Sequence, residues 1–239
     1  MSRTETRDRP SQRPDASGIA SAAVYSPVSM EPNRTILTIV RHGQTTANID
    51  RVWHGSTNTP LTEHGSLQAA AAASWIEANQ RPIAQIYTSP LQRAHHTARA
   101  IAGPLGLRPE LDPDLQEYDL GDWEGESFET LHRDRKLFEN MRTDPDYRPH
   151  GGESPRQVGH RLAEALRRIA DRHPAERVVV VSHGGALSIA FGVLIDEDYR
   201  SWSRTMDNCA ISELVFEPTS QLISFNRTDH LPSARPADE

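Results

Sequence analysis

From residue 35 onward, short apolar and β-branched runs alternate with longer segments of helical period, the order expected of a sheet with helices packed over its faces. The first run, Thr35 to Val40, is apolar at Ile36, Leu37, Ile39 and Val40, as a strand buried on both sides requires. Leu61 to Ala78 reads as a helix capped by Thr62, and Ile83 to Thr88 as a second strand. Ser89-Pro90 then opens a helix, with Ser89 as cap and Pro90 at its first position, so that Arg93 falls in the first turn. An extended piece at Leu107 to Leu111 leads into Leu115 to Gly125, which is rich in turns and acids. A helix is predicted from Ser127 to Met141, then a loop through Gly151-Gly152 and an amphipathic helix from Ser154 to Arg172. Arg177 to Val181 is a β-branched strand followed by a helix from Ala186 to Leu194. Cys209 to Phe216 and Leu222 to Asn226 close the pattern as an antiparallel hairpin, whose outer edge offers a surface for a homodimer. The expected fold class is α/β, a three-layer sandwich with a mostly parallel central sheet and helices on both faces.

The periodic pattern covers residues 35–230 and fits one domain. Residues 1–34, rich in Arg, Pro, Ser and Ala, read as a disordered leader, and residues 231–239 as a polar tail. Met30 is an alternative start. Net charge of -7 over 239 residues argues against a nucleic-acid surface, and a basic pocket would have to be assembled from particular Arg and His residues. No run approaches the roughly 18 apolar residues of a membrane span, so the expectation is a cytoplasmic protein with no membrane partner. The single Cys209 excludes an internal disulfide and reads as a buried thiol.

Candidate chemistry sits where strands end. Arg41-His42-Gly43 follows the first strand, and Ser182-His183-Gly184-Gly185 follows the fourth. Carboxyl ends of strands are where open α/β sheets bind ligands. Two strand-end histidines, Arg41, Arg93 and an acidic loop form a set suited to a phosphate monoester. Phosphoryl transfer spreads charge over three equatorial oxygens, so fixed positive donors and an in-line nucleophile are what it needs. Arg41, Arg93 and a histidine can be donors, and a neutral imidazole at His42 or His183 can attack. Glu117 is the first choice for the acid that protonates the departing alkoxide, with Asp119 second. Gly184, at a helix start, allows close approach of an anion. Trp53, His54, Tyr118, Trp123 and Phe128 are candidates for a leaving-group pocket or for packing anchors. The basic run His132 to Lys136 reads as a solvated helix face.

The ordered motifs resemble the histidine phosphatase superfamily, with its phosphoglycerate-mutase-like fold. They are Ile39-Val-Arg-His-Gly-Gln-Thr-Thr-Ala-Asn48 with Arg51 and His54-Gly55, then Pro60-Leu-Thr62, then Tyr87-Thr-Ser-Pro-Leu-Gln-Arg-Ala94. Leu115-Gln-Glu117 with Gly121-Asp-Trp-Glu-Gly125, Gly151-Gly-Glu-Ser154 and Val180-Val-Ser-His-Gly-Gly185 follow in order. The resemblance implies that His42 is phosphorylated, that Arg41, Arg93, His183 and Asn48 contact the phosphoryl group, and that Glu117 donates the proton. His54, Gly55, Tyr118 and Gly184 are the further substrate-binding candidates. It also implies no metal and no other cofactor, in keeping with the absence of an H-E-x-x-H cluster. The short segment between Glu117 and Gly151 favours a phosphatase of small-molecule phosphate esters over a phosphoglycerate mutase. A non-catalytic phospholigand-binding member is the alternative of another class, disfavoured by the presence of both His42 and Glu117.

Overall fold

Apolar residues at nearly every position of a strand demand cover on both of its faces, and the computed structural model shows how that cover is arranged. It describes residues 34–148, 151–200, 203–217 and 219–231. Residues 1–33 of the expected leader and 232–239 of the expected tail lie outside the described residues. The strands are β1 (Thr35–Arg41), β2 (Gln85–Thr88), β3 (Glu110–Leu111), β4 (Arg177–Ser182), β5 (Ile211–Glu217) and β6 (Thr219–Arg227). They form one sheet in the order β3-β2-β4-β1-β5-β6. Pairing is parallel from β3 through β1 and antiparallel for β5 and β6.

The helices are α1 (Thr46–Asp50), α2 (Glu63–Gln80), α3 (Gln92–Leu105), α4 (Phe128–Arg133), α5 (Leu137–Thr143), α6 (Pro155–Arg172) and α7 (Gly184–Phe191). Successive strand side chains point to opposite faces. Leu37, Ile39, Val178 and Val180 accordingly join one core with α6 and α7, while Val40, Ile86, Val179 and Val181 join another with α2 and α3. This is the expected three-layer α/β sandwich. No helix among the described residues is long and apolar enough to cross a membrane.

Strand order positions the site. The chain leaves β1 for β2, and later inserts β4 between them. Parallel register sets Arg41 beside Ser182 and Thr88 beside Val181, so His42, His183 and Ser89 emerge together at one edge. The segments that follow β1 and β4 lead to opposite faces, which opens a crevice at that edge.

Three local expectations need correction. The single helix predicted over Ser127 to Met141 is two helices, broken at Asp134–Lys136 with Lys136 left-handed (φ 50°). In one continuous helix Leu131 and Leu137 would project about 120° apart; the break lets both, with Met141, enter the core. Ser89 does not cap α3. That helix starts two residues later, Leu91 stands at its N-cap position, and the Ser89 hydroxyl accepts from the Leu91 N–H (3.2 Å) and from His183. The helix expected to end at Leu194 starts earlier, at Gly184, and finishes in a π turn over Gly192–Asp196.

One polar cluster crosses the sheet interior. Arg177 on β4 is paired with Glu213 on β5 and donates to Thr38 on β1 (3.2 Å). Gln80, at the end of α2, accepts from Thr38 (2.9 Å) and donates to Glu213 (3.1 Å). All four side chains are buried. Removing one charge of such a pair strands the other in a low dielectric, whereas removing both is tolerated. Glu213→Leu is expected to cost about 3–5 kcal/mol of unfolding free energy. The double variant Arg177→Met/Glu213→Leu is expected to recover most of it, and urea denaturation of both variants measures the difference.

Candidate active site

His42 and His183 face each other at the strand edge with ring centroids 5.2 Å apart. Their hydrogen bonds give them different states. His42 Nδ1 lies 2.7 Å from the Gly43 carbonyl. A carbonyl only accepts, so Nδ1 carries the proton and Nε2 keeps its lone pair. At His183 the order is reversed: Arg93 Nε donates to Nδ1 (3.2 Å), and Nε2 therefore donates to Ser89 Oγ (2.8 Å). Both His183 nitrogens are thus occupied, while His42 Nε2 has no hydrogen bond within the described residues. Burial, and then the charge of Arg93, push both imidazoles well below the usual histidine range.

The two arginines are held from different directions. Arg41 donates from Nη1 to the Met206 carbonyl (2.6 Å) and stands over Gly184, where a Cβ would lie 3.0 Å from Arg41 Nε. Arg93 is buried and is gripped by a loop. It donates to the carbonyls of His54 (2.9 Å), Gly55 (2.9 Å) and Thr57 (2.8 Å). Burial pulls its guanidinium down to about 10, against the opposing charges of Glu117 and Glu124. Glu124 pins the same loop by accepting from the Gly55 N–H (2.8 Å).

Glu117 sits on the first turn of α7. Its carboxylate accepts from the backbone N–H of Gly185 (3.0 Å) and Ala186 (2.6 Å), donors that a helix N-terminus leaves over, and from that of Tyr118 (2.8 Å). Position 185 has to be glycine for this approach, since a Cβ there would come within 2.7 Å of both Glu117 and Trp53. Arg161 of α6 holds the preceding turn through the carbonyls of Asp114 (2.9 Å), Gln116 (3.1 Å) and Glu117 (3.3 Å). Asn48 belongs to the capping box of α1: its Oδ1 accepts from the Thr45 N–H (3.0 Å), the Thr45 hydroxyl (3.1 Å) and Asn208 Nδ2 (3.1 Å). Its NH₂ is the end left for an anion.

These groups surround a cavity of about 260 Å³. Arg41, His42, Asn48, His54, Arg93, Glu117 and Gly184 line it, as anticipated from the sequence. Three candidates are elsewhere. Tyr118 is fully buried in the core, edge-on to Trp53 at 6.0 Å, because its backbone rather than its ring is needed beside Glu117. Gly55 acts through its backbone, accepting from Arg93 and donating to Glu124. His183 stands behind the wall, where it holds Arg93. Asp119 is also off the wall and accepts from the Gly121 N–H (2.8 Å), which leaves Glu117 as the carboxyl at the cavity. Sequence reasoning missed Asn208, which donates to the His42 carbonyl (3.0 Å) and has no local signal because its partner is distant in the chain. Thr97, which follows the Tyr87 to Ala94 motif, accepts from the Gly43 N–H (3.1 Å). Within the described residues no group of three or more His, Cys, Asp or Glu has the spacing to hold a metal ion.

A neutral imidazole with one open nitrogen, two guanidinium groups and a carboxyl suits nucleophilic attack on an anionic electrophile. Comparison with known proteins points the same way. The family model described as the histidine phosphatase superfamily (branch 1) matches residues 37–228. Phosphoglycerate mutase-like protein 4 of Arabidopsis thaliana is 39% identical over 156 residues, covering 63% of this chain and 67% of that protein. A metal-independent phosphoserine phosphatase, also of Arabidopsis thaliana, is 37% identical over 165 residues, covering 67% and 68% respectively. The solved structure of mycobacterial glucosyl-3-phosphoglycerate phosphatase Rv2419c with VO3 matches with a TM-score of 0.71 at 28% identity, covering 81% of this chain and 99% of that one.

Histidines held neutral below their ordinary pKa make stability depend on pH. The unfolded chain binds these protons near pH 6.5 while the folded chain does not, so stability is fully present above about 6.5 and falls as pH drops towards the lower folded values. The urea midpoint is expected to decline between pH 7 and pH 5. The decline should be shallower in His42→Asn, and a slope unchanged by that substitution would contradict the assignment.

Proposed function

We propose that this chain, which belongs to the histidine phosphatase superfamily (branch 1) and is a phosphoric monoester hydrolase, hydrolyses small-molecule phosphate esters through a phosphohistidine on His42, without a metal ion. The observation that carries this reading is the Gly43 carbonyl on His42 Nδ1, which leaves a lone pair on Nε2 beside the cavity. The metal-independent character of a relative's activity supports the last part.

In the first step His42 Nε2 forms a bond to phosphorus while the ester P–O bond breaks in line with it, and Glu117 gives its proton to the departing alkoxide. In the second, water attacks phosphorus, its proton passes to Glu117, and the P–N bond breaks to return the lone pair to Nε2. Arg41, Arg93 and the Asn48 amide stabilise charge on the equatorial oxygens. His183 keeps Arg93 in register with them and, with the carbonyls of His54 and Gly55, fixes the direction of its fork. Gly184 lets the anion approach the start of α7. A mutase would need the phosphohistidine to pass its phosphoryl group to a second phosphate ester instead of water. The name of one relative suggests that outcome, and the short segment after Glu117 favours hydrolysis.

With p-nitrophenyl phosphate in EDTA, the protein is expected to turn over and His42→Ala to be inactive. Glu117→Ala should lose about 10²- to 10⁴-fold with alkyl esters and much less with the activated p-nitrophenyl leaving group. Undiminished turnover by His42→Ala, or activity lost to EDTA and restored by zinc or magnesium, would overturn the mechanism.

A further inference from the structure

The charged side chains on the cavity wall, among the described residues, are Arg41, Arg93 and Glu117. Arg41, His42, Arg93 and Glu117 serve the phosphoryl group and the proton, and His54 is tied through Nδ1 to the Thr59 hydroxyl. Among the described residues the rest of the wall is Val52, Trp53, Phe128, Phe138, Met206, Ala47, Gly184 and Gly185, with the hydroxyls of Thr45 and Thr205 and the Asn48 amide. Trp53 turns its indole N–H to the Tyr118 carbonyl (3.1 Å) and packs edge-on to Phe128 at 5.6 Å. A neighbouring cavity is lined by Asp50, Arg51, Glu129, His132 and Arg133. It shares only Phe128 and Phe138 with the first, and Arg133 within it is paired to Glu129 (2.6 Å).

We propose that the alcohol released here is apolar and uncharged, so that the substrates are aryl or alkyl phosphate monoesters without a carboxylate or a second phosphate. This rests on the phosphatase reading above. A leaving group bearing a carboxylate, as in phosphoserine or 3-phosphoglycerate, would lose its hydration against phenylalanine and methionine, and among the described residues the wall of this cavity carries no permanent cation beyond Arg41 and Arg93, which the phosphoryl group takes up. An alkyl or phenyl group loses nothing polar there and removes apolar surface from water.

The test compares kcat/KM for 2-phenylethyl phosphate with that for phosphoserine and 3-phosphoglycerate, all esters of unactivated alcohols. The expected preference for 2-phenylethyl phosphate is on the order of 10²-fold or more. Phe138→Arg, which puts a cation on the apolar wall, should narrow that ratio by about tenfold or more, chiefly by improving 3-phosphoglycerate. Circular dichroism checks that the variant is folded, and the wild-type comparison stands without it. If the carboxylate esters are turned over as well as 2-phenylethyl phosphate, with activity lost in His42→Ala, the apolar assignment is wrong and the phosphatase reading survives. If no ester, p-nitrophenyl phosphate included, shows turnover that depends on His42, both fall.

Discussion

A guanidinium buried at the foot of the crevice organises everything around it. Placing the Arg93 charge in the interior is costly unless its donors are met, and the protein meets them with three carbonyls of the 54–57 segment and one imidazole nitrogen. Each partner is thereby fixed in turn. The loop must cross the mouth of the strands, His183 must offer Nδ1 as an acceptor, and Ser89 must take the proton on the other nitrogen. The charge also keeps the neighbouring rings from protonating. Burial first, and then this cation, keep two histidines a ring's width apart neutral.

That dependence separates residues that meet a ligand from residues that hold those in place. Arg41, His42, Asn48, Arg93 and Glu117 line the cavity. Behind them, Glu124 restrains the loop that grips Arg93, Arg161 restrains the turn that presents Glu117, and Asn208 joins the backbone of His42 to the amide of Asn48. Helices α6 and α7 thus contribute to the site while covering one face of the sheet. The polar cluster of Arg177 and Glu213 lies deeper in the sheet, where it ties three strands to α2.

Much of the fold was legible because the central strands β1 and β4 are buried on both faces and therefore read as largely apolar runs, and because Thr62 and Ser154 cap their helices with side chains that accept from the residue three positions on. The site was legible where chemistry coincides with strand ends, at His42 and His183, since parallel register carries them to the same edge. Other features depend on tertiary contact. Ser89-Pro90 has the composition of a helix start, yet the helix begins at Gln92 and the serine hydroxyl serves both the Leu91 N–H and His183. Nothing between Ser127 and Met141 marks a break, because it is imposed by the need of Leu131 and Leu137 to reach one core. Tyr118 sits beside a chemically plausible neighbour, but a side chain adjacent in sequence to Glu117 points away from it. The tautomers that distinguish the two histidines were invisible before the Gly43 carbonyl and the Arg93 fork were located.

The two phenylalanines shared by adjoining cavities belong to α4 and to α5, a segment that adds no strand to the sheet and lies in the chain between Glu117 and β4. Leu131, Leu137 and Met141 hold it to the core, and Phe128 and Phe138 pack against the same core while facing the cavity. Part of the cavity wall is therefore carried on a different piece of chain from His42, Arg93 and Glu117. Selection can rewrite the diet of such an enzyme by exchanging a few side chains on a small helical pair, without disturbing the strands that make the reaction possible.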